Sequence, residues 1–167
     1  MHLIEDILKR LNINPERSSL KWVSAAEPSR FVEVITEFGD RIKSLGPMGE
    51  TEGLERKILE VGLKAAKLAM ESRKLRLIFA RQAKYMKNGD IYRELPDDHK
   101  LRVQLRSTLS DEIAKQRLLL NLDEKPRSVE ELSELMNLSS DNVEVYITEL
   151  EKGDLISRDK MIISREG

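Results

Sequence analysis

Apolar residues in this chain recur mostly every three to four positions, and short stretches interrupt that period. Leu3, Ile4, Ile7, Leu8 and Leu11 follow the i, i+3, i+4, i+7 spacing, which predicts a helix over Leu3 to Asn12. Asn14-Pro15 ends it. Leu20-Lys21-Trp22-Val23 alternates with a period of two and predicts a short strand with Leu20 and Trp22 on one face. Glu27-Pro28-Ser29 opens a second helix whose apolar face is Phe31, Val34, Ile35, Phe38 and Ile42, and Gly46-Pro47 closes it. The first segment therefore reads as helix–strand–helix. One strand cannot satisfy its own backbone groups, so this one needs partners from elsewhere. In a parallel α/β sheet such a segment is the closing unit, with a helix on each side.

From Glu52 to Met86 the pattern stays helical, with Gly62 and Glu71-Ser72-Arg73 as candidate breaks and Asn88-Gly89 as the stop. Pro96-Asp97-Asp98 starts another helix, expected to run to about Ser107, and Ser110 with Asp111 and Glu112 is expected to cap a further one ending at Leu122. Ser128-Val129-Glu130-Glu131 is a capping box. It opens a short helix with Val129, Leu132, Leu135 and Met136 on its apolar face. Ser139 or Ser140 caps the helix Asp141–Lys152, and Gly153 is expected as its left-handed terminator. Residues 155–158 and 160–164 alternate about a turn at Asp159 and predict a hairpin. Helix, helix–turn–helix and two-stranded ribbon together resemble a winged helix-turn-helix domain. The expected fold class is mainly α with a small β part. It divides into a helix–strand–helix unit (1–47), a basic helical segment (48–109) and a winged-helix-like domain (110–167).

Composition narrows the chemistry. Charged residues make up 35% and aromatics 4%, so a folded, helix-rich protein with an aliphatic core is expected. There is no cysteine, which excludes disulfides, thiolate-bound zinc, cysteine-ligated iron–sulfur clusters and a cysteine nucleophile from these residues. The two histidines, His2 and His99, have no ligand-spaced partner and read as surface residues. No metal or other cofactor is expected. No apolar run approaches the ~18 residues of a membrane span. The opening MHLIEDILKR carries acids within its apolar pattern and does not read as a signal peptide. The expected location is the cytoplasm, away from membranes. Charge is uneven: residues 1–63 carry net −2, residues 64–117 net +7 and residues 118–167 net −6. Segments with different partners, or a basic segment against an acidic one, account for such asymmetry.

The residues Asn12-Ile13-Asn14-Pro15-Glu16-Arg17, Leu20-Lys21-Trp22-Val23-Ser24-Ala25-Ala26-Glu27, the Phe31 helix and the closing Leu45-Gly46-Pro47 carry a resemblance. In that order and spacing they resemble the C-terminal end of the delta subunit family of methyl-viologen-reducing hydrogenases, over roughly the first third of the chain. A weaker likeness runs on through the basic helix to Lys87-Asn88-Gly89-Asp90-Ile91-Tyr92. The resemblance implies a place among the protein subunits of a hydrogenase or heterodisulfide reductase electron-transfer complex. In that family the upstream half carries cluster-binding cysteines, and none of those positions exists here. A docking or accessory subunit without a cluster is therefore expected, rather than an electron carrier.

Two readings compete. In the first, a partner chain or a second copy completes the open edge of the N-terminal strand, with Leu20, Trp22, Phe31, Lys74 and Arg81 as interface residues. The plainer reading, favoured over the functional one, makes Trp22 and Phe31 buried packing residues of an α/β edge. In the second, the chain is a transcriptional regulator contacting DNA through Asn142, Thr148, Arg158 and Lys160. Against it, the expected recognition helix carries Asp141, Glu144, Glu149 and Glu151 with Lys152 as its one base, where phosphate binding needs Lys/Arg. An enzyme has the least support. No glycine-rich phosphate loop, Ser-His-Asp set or metal cluster is visible.

Overall fold

The computed structural model describes residues 2–88, 98–159 and 162–165. These group into two compact units, 1–59 and 60–167. Residues 48–59 thus fall with the N-terminal unit, and residues 60–109 with the C-terminal one.

In the first unit, α1 (His2–Arg10) is followed by a single 3-10 turn (Pro15–Arg17) and by α2 (Pro28–Leu45). Asn12 ends α1 in the left-handed conformation (φ 57°). The Ile13 N–H then donates to Leu8 O and the Asn12 N–H to Lys9 O, which satisfies two terminal carbonyls. Leu11 and Ile13 are buried beneath this turn. Asn14 caps the 3-10 turn through its side chain, which accepts from the Glu16 N–H.

The strand expected at Leu20–Val23 is not formed: residues 18–24 carry no regular secondary structure. A strand needs a neighbour to fill its ladder, and the described residues of this unit supply none. The chain instead crosses to α2 and turns locally. The Ala26 N–H donates to Ser24 Oγ, the Ser24 N–H to Glu27 Oε2, and the Glu27 N–H to Ser24 O. Pro28 then enters at the first helical position, where its missing N–H costs nothing. The helix–strand–helix expectation is thereby corrected to helix, 3-10 turn and helix.

The second unit is built on α3 (Arg56–Met70, whose first turn belongs to the first unit), α4 (Arg73–Asn88), α5 (Asp98–Leu122), α6 (Val129–Met136) and α7 (Ser140–Glu151). Its ribbon pairs β1 (Ile156–Asp159) with β2 (Ile162–Arg165) antiparallel, Ser157 opposite Ser164. The fold is mainly helical with this one small sheet. The helix break falls at Glu71-Ser72, where the Ser72 hydroxyl accepts from the Leu75 N–H, and not at Gly62. Gly62 instead lies with Ala65, Ala66 and Ala69 on the buried face of α3.

Ser110 does not start a new helix. α5 runs unbroken through it, because residues 105–113 contain neither Gly nor Pro and Leu109, Ile113 and Ala114 continue one buried face. Burial against neighbouring helices outweighs the local preference of Ser and Asp for caps. Leu118, Leu119 and Leu122 of α5 then form the core with Leu132 and Met136 of α6, Val143, Ile147 and Leu150 of α7, and Ile156 and Ile163 of the ribbon. The Arg127 backbone exchanges two hydrogen bonds with Ile163, of 3.1 and 2.9 Å, so the segment between α5 and α6 adds a bridge to the ribbon. The capping box at Ser128 and Glu131 is present, and Ser139 is the residue that caps α7. Gly153 is not the left-handed terminator of α7. Asp154 is (φ 53°), with the Leu155 N–H donating to Leu150 O. The expected helix start at Pro96-Asp97 and the hairpin residues Lys160 and Met161 lie outside the described residues.

Candidate docking surface

An arginine–glutamate pair organises the first unit. Arg17 leaves the 3-10 turn with its side chain 5% exposed and meets Glu52, 8% exposed, at 2.7 Å. Arg17 Nη1 donates to Gly46 O at 2.7 Å, and Nη2 donates to Leu45 O at 3.0 Å and Pro47 O at 3.1 Å. These are the carbonyls at the C-terminus of α2, where the helix dipole favours a cation. Glu52 in turn accepts from the Asn14 N–H at 3.1 Å and the Gly49 N–H at 2.9 Å. The Arg17 guanidinium, together with these backbone amides and against the opposing effect of burial, holds the Glu52 carboxyl down at about 2. Gly49 (φ 93°) permits this approach, since a Cβ there would lie 2.9 Å from Leu59 Cδ2. The pair thus ties the 3-10 turn, the end of α2 and the turn at 47–54 together.

This unit leaves several large apolar side chains exposed. No residue of α2 is buried. Trp22 is 87% exposed, and Leu20, Phe31, Val32 and Ile35 are all more than half exposed. Trp22 and Phe31 are therefore not the packing residues of a closed core. Their exposure follows from the missing strand, since no sheet of the unit exists for the α2 stripe to cover. Sequence reasoning placed Leu20, Trp22 and Phe31 among interface residues. It missed Arg17 and Glu52, because nothing in the spacing of residues 35 positions apart signals that they meet.

In the second unit Lys74 lies 3.5 Å from Glu112, and Arg81 is exposed. Of the four residues proposed for DNA, Asn142, Thr148 and Arg158 lie within the described residues. The Thr148 hydroxyl donates to Glu144 O at 2.9 Å within its own helix. Arg158 lies against α7, donating to Glu144 Oε2 at 2.6 Å with its Nε 3.3 Å from Glu151 Oε1, and the Glu144 carboxylate pushes its pKa up. Asn142 is exposed at the start of α7, and Lys160 lies outside the described residues. Two internal contacts hold this unit's helices in place. Arg117 of α5 donates to Leu135 O and Met136 O at the end of α6, and Tyr146 of α7 donates to Asp111 at 3.2 Å. Among the described residues no group of three His, Cys, Asp or Glu is placed to hold a metal ion, and no helix is long and apolar enough to cross a membrane.

Residues 1–46 match the family model of the methyl-viologen-reducing hydrogenase delta subunit. The resemblance drawn from residues 3–47 falls on the same segment. An F420-non-reducing hydrogenase iron-sulfur subunit from Archaeoglobus profundus is 47% identical over 45 residues, 27% of this chain and 33% of that protein. A ferredoxin:CoB-CoM heterodisulfide reductase subunit from Methanosarcina mazei is 36% identical over 63 residues, 38% of this chain and 8% of that protein. A third relative is a ferredoxin/F420H2-dependent CoB-CoM heterodisulfide reductase subunit from Methanosarcina acetivorans. It is 35% identical over 49 residues, 29% of this chain and 6% of that protein. The chain thus matches a third or less of each relative's length. No solved structure matches it.

Proposed function

We propose that this chain is an accessory subunit of a hydrogenase or heterodisulfide reductase type of electron-transfer complex, docking through its N-terminal unit and binding no cluster itself. The observation that supports this most is the exposure of Leu20, Trp22, Phe31, Val32 and Ile35 on the segment shared with those subunits. Exposed apolar patches of this kind mark interaction sites. The Arg17–Glu52 pair fixes the 3-10 turn and the C-terminal end of α2, the two ends of the segment that presents them. Residues 110–167 act in this reading as a winged-helix-type protein module. Pairing of Arg158 with Glu144 and Glu151 leaves α7 and the ribbon poorly suited to displacing counterions from DNA.

The test is co-elution of the full chain with purified heterodisulfide reductase and hydrogenase subunits from the same organism. The parent protein is expected to co-elute, and Trp22→Ala with Phe31→Ala to weaken binding at least about tenfold, as loss of two aromatic anchors does. A chain that stays apart from all these subunits yet retards duplex DNA would reject this reading in favour of a regulator.

A further inference from the structure

Four exposed bases of the middle of the chain, Arg73, Arg76, Arg81 and Lys84, share one face of α4. Every charged residue of that helix is Lys or Arg. Helical spacing places Arg73, Arg76, Leu77, Ala80, Arg81 and Lys84 together, all exposed, opposite the buried Leu75. Bases packed against α5, α7 and the ribbon are neutralised: Lys74 by Glu112, Lys115 by Glu149, Arg127 by Glu124, Arg158 by Glu144, and Arg165 by Asp123. Arg73, Arg76, Arg81 and Lys84 have no ion-pair partner among the described residues.

This face also has an apolar centre. Leu77 is 49% exposed and is followed one turn later by Ala80. Arg73, Leu77, Ala80 and Lys84 are spaced four, three and four apart, which is the seam along which two helices pack. The seam is about 16 Å long at the helical rise. Arg76 and Arg81 flank it. An apolar centre inside a charged rim is the anatomy of a protein interface.

We propose that the outward face of α4 docks an amphipathic helix of another protein whose apolar stripe is bordered by Asp and Glu. Arginine suits that role, since its planar fork pairs carboxylates two bonds at a time. A nucleic acid would use the bases but not Leu77. Phe79, the aromatic of α4 whose side chain is described, lies half-buried on the inner side and gives no exposed stacking surface. A membrane surface would need a far broader apolar face than one leucine and one alanine. The surface lies in the second unit and does not depend on the docking role of the first.

Two fluorescent helical peptides test this on the full chain. Both carry the same glutamates; one has leucines along its stripe and the other has glutamines there. At physiological ionic strength the leucine peptide is expected to bind at least about tenfold more tightly than the glutamine one. Arg76→Glu with Arg81→Glu is expected to abolish binding, and Leu77→Gln to remove the preference for the leucine peptide. Arg76→Gln with Arg81→Gln serves if the charge reversal unfolds the helix, as judged by circular dichroism. Equal binding of the two peptides overturns the proposal. So does tighter binding of duplex DNA or of phosphatidylserine vesicles than of the leucine peptide, or reversal variants that bind as the parent does.

Discussion

Arg17 and Glu52 do more for the first unit than any other pair of side chains described in it. Removing one partner of such a nearly buried pair leaves the other charge without compensation. Arg17→Met is expected to destabilise the unit by about 3 kcal/mol, measured by chemical denaturation. The Glu52 carboxyl titrates near 2 in the folded chain and near 4.5 when free, so it contributes stability above pH 4.5. That contribution is lost as pH falls through the folded value, and amounts to about 3 kcal/mol at most. Melting temperature followed from pH 6 to pH 2 should therefore drop in the parent, and the drop should shrink in Glu52→Gln. At Gly49 an added methyl meets both a positive φ and Leu59, and Gly49→Ala is expected to cost about 1–3 kcal/mol. None of this was legible in the sequence. Arg17 stands in a recognisable Asn-Pro-Glu-Arg turn, but its partner lies 35 residues away, and no period links them.

Helices are legible in the sequence where their ends carry their own chemistry. Pro28, Gly46, the Ser128–Glu131 box and Ser139 each act as the sequence indicates. The differences fall where tertiary context decides. Residues 20–23 have the alternation of a strand but no neighbour. Ser110-Asp111 has the look of a cap but lies under a buried face that continues through it. Gly153 resembles a terminator, yet the chain takes the left-handed turn one residue later, at Asp154. The continuity of α5 is testable with Asp111→Pro. Proline is tolerated at the first position of a helix but costs about 3 kcal/mol or more inside one. A loss of that size, well beyond the loss in an Asp111→Ala control that also lacks the Tyr146 contact, is expected in thermal unfolding. A harmless proline would restore two separate helices.

At the scale of the molecule, one unit carries the segment shared with the hydrogenase and heterodisulfide reductase subunits, and the other a compact helical core closed by a ribbon. The shared segment was legible because its turns and caps are short-range features in a fixed order. What was not legible is that residues 20–23, without a sheet to join, form no strand at all, and that Trp22 and Phe31 become surface. With two units, unfolding is expected in two steps, of which Arg17→Met should move only one, as followed by hydrogen exchange of individual helices. On the proposed function, the exposed apolar surface of the first unit is covered by a protein of such a complex. Trp22 is the single tryptophan of the chain, so 5-fluorotryptophan labelling gives one fluorine resonance, and an unlabelled partner contributes none. Titration with the purified heterodisulfide reductase and hydrogenase subunits should shift and broaden that resonance, and Phe31→Ala should weaken the effect. A resonance that stays narrow and unshifted at saturating partner, with the solvent accessibility of free Trp22, would contradict the account.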